Sequence, residues 1–277
     1  MTDDIHQTPE EKHVGLIDSL KLASPNDRKA SYMLIFLFSA SASIMLGVPI
    51  MFKEPLIYCS DGTNPPFVCS EIEACSNDFN YYIDKVNGPK SFTTDFELIC
   101  ENSSQKRFAL TMNFLGFFAG CFMITFFVIS PAIRKKMISF YSVIYGVSLL
   151  LMLFFSESLF IITMLLFVSS FCFVCINAYI YVFITENFIG DLASSLMILV
   201  NIGWAVSGIT FAIFAFFVNS NWKFFLGLAG ILMTSGGVYF WVMLFPKNYG
   251  NTQSSQVNFN FYIIFIFIKC LMENIIP

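Results

Sequence analysis

Six charge-free apolar stretches divide the chain, at residues 30–52, 108–133, 137–156, 158–185, 192–222 and 224–246. A helix needs about 20 apolar residues to cross the hydrocarbon core of a bilayer. Each stretch is long enough. Backbone amides inside lipid must find partners within their own segment, which helices provide. Barrel strands would alternate apolar and polar residues over about ten positions. Runs such as residues 149–155 do not alternate. The pattern therefore predicts an all-α membrane protein with six spans. A seventh apolar run, residues 257–268, lasts only about a dozen positions before Lys269 and Glu273. It reads as a partial or interfacial helix.

The polar segments between these runs organise the rest. Residues 1–29 form a tail, 30–52 the first span and 53–107 a long polar insert. Spans two to six occupy 108–246, and 247–277 form a second tail. The first span is longer than a signal-peptide core of about 7–15 residues and follows a polar tail, so it reads as a true span. Arg134, Lys135 and Lys136 cluster in the short link between spans two and three. Basic residues favour the cytosolic side. The N-terminus, Glu186, Asp191 and Lys247 then face the cytosol, and Glu157 and the 53–107 insert face outward. The expected location is the plasma membrane, as a multi-pass protein.

Composition sharpens this picture. Of 277 residues, 56% are hydrophobic, 12% are charged and 35 are Phe. Soluble domains carry about 25% charged residues. The lipid bilayer is therefore the first expected partner. The net charge of −4 reflects acids in the tail and insert, and no basic run suggests nucleic acid. Four of the eight cysteines, Cys59, Cys69, Cys75 and Cys100, lie in the insert. In an oxidising compartment four such residues suit two disulfides, with three pairings open. Asn102-Ser103-Ser104 is a glycosylation sequon on the same side, close to the membrane. Cys172 and Cys175 sit deep in an apolar run and read as buried thiols. His6 and His13 have no neighbouring ligands. No nucleophile–base pair, phosphate loop or zinc spacing is present, so no enzyme activity, metal or cofactor is expected.

The insert ends Ser91-Phe92-Thr93-Thr94-Asp95-Phe96-Glu97-Leu98-Ile99-Cys100. This stretch resembles Ser-Ile-Val-Thr-Glu-Trp-Asp-Leu-Val-Cys, which closes the outer loop of organic cation/anion/carnitine transporters. Those proteins are a branch of the major facilitator superfamily. Weaker similarities follow in the same order: Gly116-Phe117-Phe118-Ala119-Gly120, Thr185-Glu186 with Gly190, Gly208, and Asn221-Trp222-Lys223-Phe224. The resemblance covers residues 10–247. It implies the N-terminal six-helix half of a twelve-span transporter with a cysteine-rich outer loop. It implies alternating access and a small organic ion or zwitterion as substrate. Two departures stand out. The family's acid between spans two and three is replaced by Ser130, and the second half does not follow Pro246. The Asn-, Phe- and Ile-rich tail is expected to mark a truncated gene model, an alternative end or a decayed copy. A homodimer of halves would restore twelve spans. The competing expectation is a membrane protein that regulates or binds others without transporting, or an inactive remnant.

Glu186, at the C-terminal end of span four, opposes the helix macrodipole. It is the expected gate partner of Arg134, Lys135 and Lys136. Asp191 is placed to cap span five. Asn177 and Tyr181, four residues apart, share a helix face. The resemblance implies an aromatic near Tyr181 that lines a central cavity, where it can stack on an organic cation. Asn113, Asn201 and Trp204 are further candidate lining residues. The alternative for all of them is joining helices. Gly116, Gly120, Ser39, Ser41 and Ser43 are expected to serve close packing. No acid or base lies inside the six spans, so substrate charge is left open.

Overall fold

The computed structural model describes residues 25–60, 65–75, 80–126, 131–188, 190–217 and 221–244. Among the described residues it is mostly helical, with six helices long and apolar enough to cross a membrane. The architecture is that of an all-α multi-pass membrane protein. The chain divides into two compact units, Met1–Phe240 and Trp241–Pro277. The second is described only at residues 241–244. Residues 1–24, Ser130 and the 257–268 run lie outside the described residues.

The spans are α1 (Pro25–Met51), α4 (Ser103–Phe126), α5 (Pro131–Phe154), α6 (Leu159–Asn187), α7 (Asp191–Phe217) and α8 (Trp222–Leu244). Between α1 and α4 lies a small domain. It contains β1 (Ile57–Ser60), β2 (Phe67–Val68), the one-turn helix α2 (Glu71–Ala74), β3 (Asn80–Ile83) and the one-turn helix α3 (Phe92–Asp95).

The apolar windows located the helices, and their ends follow other rules. The second window crossed Pro131 and ran to Ile133, yet α5 starts at Pro131. Proline lacks an amide hydrogen and is tolerated in the first turn, where no intrahelical partner is needed. Helix α4 begins at Ser103, before the charged pair Lys106 and Arg107, because ladder hydrogen bonds continue past the apolar run. Asp191 is the first residue of α7, where its charge suits the positive end of the macrodipole. Gly190 before it has φ +62°, a left-handed conformation that glycine adopts without a Cβ clash.

Helix α6 has no distinct polar face, and it is the most buried of the six. A helix without a polar face belongs inside a bundle. It packs along α4 and α5 and also touches α1 and α7, while α1 packs along α7. Small residues set these approaches. A Cβ on Gly116 of α4 would lie 2.4 Å from the Phe167 carbonyl of α6, and one on Gly120 2.9 Å from that of Phe171. In α7, a Cβ on Gly203 would lie 2.4 Å from Ser39 Oγ of α1, and Gly208 faces Leu46. Helix α8 meets α1 where Gly47 receives Phe225 and Gly236 receives Phe36. It meets α5 where Gly146 faces Gly230 and Thr234.

Several of the helix contacts recur with a shift of three spans. Counting α1, α4, α5, α6, α7 and α8 as one to six, span two packs on four and span five on one. Span three packs along four, and span six approaches one at Gly47 and Gly236. Span three meets span six, a pair the shift maps onto itself.

The small domain has its own structure. Strand β1 is central, antiparallel to β2 and to β3, with Tyr58 opposite Tyr82 and Cys59 opposite Tyr81. Disulfides join Cys59 to Cys69 and Cys75 to Cys100, which selects one of the three open pairings. Ile57, Cys59, Cys69, Ala74 and Ile99 form its core. After β3, the Asp84 carboxylate accepts hydrogen bonds from the Asn87 amide, the Asn87 side chain and the Val86 amide. Those donors hold its carboxyl below the ordinary value of 3.8. A depressed folded pKa means the turn's contribution is whole above the unfolded value. It is lost as pH falls through the folded one. Amide protection at Val86 and Asn87 is therefore expected to be constant from neutral pH to about 4 and to fall only below it. Hydrogen exchange corrected for its intrinsic rate measures this.

Candidate functional site

Helix α6 carries three polar side chains, Ser170, Asn177 and Tyr181, that pair across helix contacts. Asn113 of α4 is 2% exposed, and its Oδ1 accepts from Ser170 Oγ at 2.5 Å. It therefore joins α4 to α6 inside their interface. Asn177 accepts from Ser41 Oγ of α1 at 2.9 Å. The Ser41 carbonyl in turn accepts from Tyr145 Oη of α5 at 2.9 Å, so three helices meet there. Such bonds are worth about 0.6 kcal/mol each in a bundle, because polar groups in the unfolded membrane state also find partners. Their use is to fix register.

Tyr181 differs. Its Oη donates to Asn201 Oδ1 of α7 at 2.8 Å, while its ring makes a T-shaped contact with Phe38 of α1, centroids 5.2 Å apart. Tyr181 is partly exposed and Asn201 is exposed. Asn201 Nδ2 donates to the Met197 carbonyl at 2.7 Å, which aims its amide oxygen at Tyr181. Trp204 lies three residues on along α7 and is partly buried. The structure thus joins Tyr181 to Asn201 on an open side of the bundle and keeps Asn113 inside a helix contact. Helices α4 and α7 are the least buried of the six.

The start of α5 and the end of α6 come together. Arg134 Nη1, partly buried, forms an ion pair with the exposed Glu186, and Lys135 Nζ lies 5.4 Å from the Phe183 ring centroid. A cation over an aromatic face is attracted to its electron-rich centre. Lys136 is partly exposed nearby in sequence. Glu186 thus takes one member of the basic cluster as its partner, and Phe183 takes a second. Cys172 and Cys175 are buried in α6, and Cys121 is exposed on α4.

At the opposite end the small domain meets the bundle through the residues of the 91–100 stretch. Ser91 Oγ donates to the Lys53 carbonyl at 2.7 Å, just past α1. Phe92 is fully buried, with its ring 5.2 Å from Phe52 and 5.4 Å from Trp222. Trp222, 1% exposed, opens α8. Its amide donates to the Lys90 carbonyl at 3.2 Å, and its Nε1 donates to Asp95 Oδ2 at 2.9 Å. Lys223 Nζ lies 3.2 Å from the same oxygen. That ion pair is solvent-exposed and worth at most about 1 kcal/mol. Fully burying an aromatic ring is worth about 1.5–3 kcal/mol. Burial of Phe92 and Trp222 therefore holds the contact, and Asp95 sets its direction. Lys106 of α4 adds an ion pair with Glu71 at 3.6 Å.

No family model matches this chain, and no curated protein sequence matches it. Among the described residues no group of three or more His, Cys, Asp or Glu is placed to hold a metal ion. Asn102 is exposed in a single 3-10 turn, Cys100–Asn102, immediately before α4, and its Nδ2 donates to the Glu97 carbonyl at 3.3 Å.

Sequence reasoning missed two partners. Ser170 and Tyr145 were unremarkable in apolar runs, and only the helix contacts reveal what they bind. The union of Asp95 with Trp222 and Lys223 was also missed, although the resemblance had drawn attention to all three residues. They lie more than a hundred positions apart, and no local pattern links them.

Proposed function

We propose that the chain is a six-span half of a major-facilitator transporter for small organic ions or zwitterions, of the organic cation, anion and carnitine type. The observation that carries this reading is the three-span repeat in helix packing. Inverted triplets of spans are the internal repeat of each half of such transporters. The disulfide domain between spans one and two, ending in the 91–100 stretch, supports the narrower assignment. In this reading the disulfide domain faces outward at the plasma membrane and the Arg134 end faces the cytosol. The open faces of α4 and α7 meet a second set of six spans, supplied by another segment or a second copy. Substrate binds near the membrane midplane, where Tyr181, oriented by Asn201, offers a ring face to an organic ion. Asn177 and Trp204 flank it, and Arg134 with Glu186 closes the cytosolic end.

Uptake of labelled organic cations, anions and zwitterions by cells expressing the full chain tests this. Uptake of at least one class is expected. Tyr181→Ala is expected to lower it about tenfold or more at unchanged surface amount, the loss of about 1.4 kcal/mol of binding. Tyr181→Phe keeps the ring and is expected to retain most of it. Absence of uptake for every class at normal surface amount would sink the transport reading. That result would favour the second reading, a non-transporting membrane interaction protein or an inactive remnant. The presence of Ser130, where the resemblance calls for an acid, speaks for that second reading.

A further inference from the structure

The two ends of the bundle carry related contacts. At one end a base in the first turn of span three, Arg134 of α5, pairs with an acid closing span four, Glu186 of α6. Shifting by three spans predicts a base at the start of span six paired with an acid that follows span one. Lys223 is the second residue of α8, and the acid it meets is Asp95, in the domain that follows α1. A base near a helix N-terminus faces the positive end of the macrodipole. Both bases are disfavoured by their own helices, and both are answered by an acid, Glu186 in the last turn of span four and Asp95 in the domain that follows span one. The contacts differ in one respect. Glu186 belongs to a helix, whereas Asp95 belongs to a separately cored domain closed by the Cys59–Cys69 and Cys75–Cys100 bridges.

We infer that the disulfide domain serves as the second of two equivalent latches, with Asp95 as its bolt. It replaces the helix end that forms the first. The domain grips α1 and α8 at once. Ser91 holds the Lys53 carbonyl, Phe92 packs between Phe52 and Trp222, and Asp95 takes both Trp222 Nε1 and Lys223 Nζ. The ends of the first and sixth spans cannot part while Asp95 is engaged. The domain therefore travels with this bundle as one body and sets how far that end can open. This assignment rests on helix and domain contacts, independent of any transported substrate.

Hydrogen exchange on the full chain in lipid nanodiscs tests it. The amide at position 222, donated to Lys90, is the reporter for the Asp95 latch, with the amides of Phe52 and Lys53 beside it. Asp95→Ala is expected to raise exchange at these three sites at least tenfold and to leave residues 137–145 of α5 unchanged. Glu186→Ala is expected to give the mirror result, with faster exchange at the start of α5 and none at position 222. Trp222→Phe keeps an aromatic ring in the contact and removes the indole donor together with part of the buried volume. It reads the same latch should Asp95→Ala fail to fold, with a smaller rise at the same sites expected. Unchanged exchange at position 222 in both Asp95→Ala and Trp222→Phe would overturn the inference. So would an equal rise at both ends of the bundle, which would mark general loosening.

Discussion

Gly146→Ala is expected to destabilise the bundle by about 3 kcal/mol, near the upper end of the usual cost of overpacking. A methyl at Gly146 would sit 2.3 Å from Thr234 Oγ1, 2.6 Å from the Thr234 amide nitrogen and 2.7 Å from the Gly230 carbonyl. Two of those atoms are backbone of α8, so no rotamer change relieves them. The helix itself would gain about 1 kcal/mol from replacing glycine by alanine, and the clash outweighs this gain. Because α5 and α8 are the pair that the three-span shift maps onto itself, separating them disturbs both triplets. A fall in thermal midpoint, followed by the fluorescence of a thiol probe at buried cysteines, checks the result. Gly208→Ala is the control. Its Cβ would meet only Leu46 Cδ1 at 3.3 Å and Cδ2 at 3.9 Å, the mobile tip of a side chain, and a near-neutral effect is expected. Adding Thr234→Ala to Gly146→Ala removes one of three close contacts and is expected to restore only part of the loss.

Replacing Cys75 and Cys100 together by serine is expected to cost the disulfide domain about 2–5 kcal/mol, the usual penalty for losing a native bridge. The domain has little else to resist it. Its buried core is five residues, and small cores depend on staples. Cys100 and Glu97 both hold left-handed backbone, with φ of 48° and 50°. Such conformations cost an ordinary residue about 1–2 kcal/mol each. Once the bridge is gone, the turn that buries Leu98 and Ile99 has less to hold it against that cost. Limited proteolysis between residues 80 and 100, and amide exchange in β1 and β3, measure the change. Loss of protection confined to the domain is expected, with α5 and α6 intact. Uniform protection throughout would show that the core and the Trp222 contact suffice without the bridge.

Both predictions draw on contacts that were unequally visible in the sequence. The six spans were legible because twenty apolar residues without a charge have one economical fate in lipid. The presence of a cysteine-bearing domain between spans one and two was equally legible. Glu186 pairing with the basic cluster was anticipated from an acid placed against its own helix dipole. The pairing of cysteines was open, and so was the fate of each polar side chain in the spans. Asn113 and Tyr181 illustrate the difference. Both are polar groups in apolar helices, yet Asn113 is sealed against Ser170 while Tyr181 meets Asn201 on an open side. Periodicity tells which residues share a face. It does not say which neighbour that face meets.

The sequence by itself determined the six apolar helices found among the described residues, the helical class and the place of the disulfide domain. Each follows from local composition and from the demand that backbone amides be paired in lipid. The tertiary structure decided what depends on contacts between distant segments. It decided which glycines admit a neighbouring backbone, which cysteines join and how the packing repeats after three spans. It also decided that Asp95 closes on Trp222 and Lys223. These are matters of atoms from remote positions meeting within about 3 Å, and local pattern carries no record of such meetings.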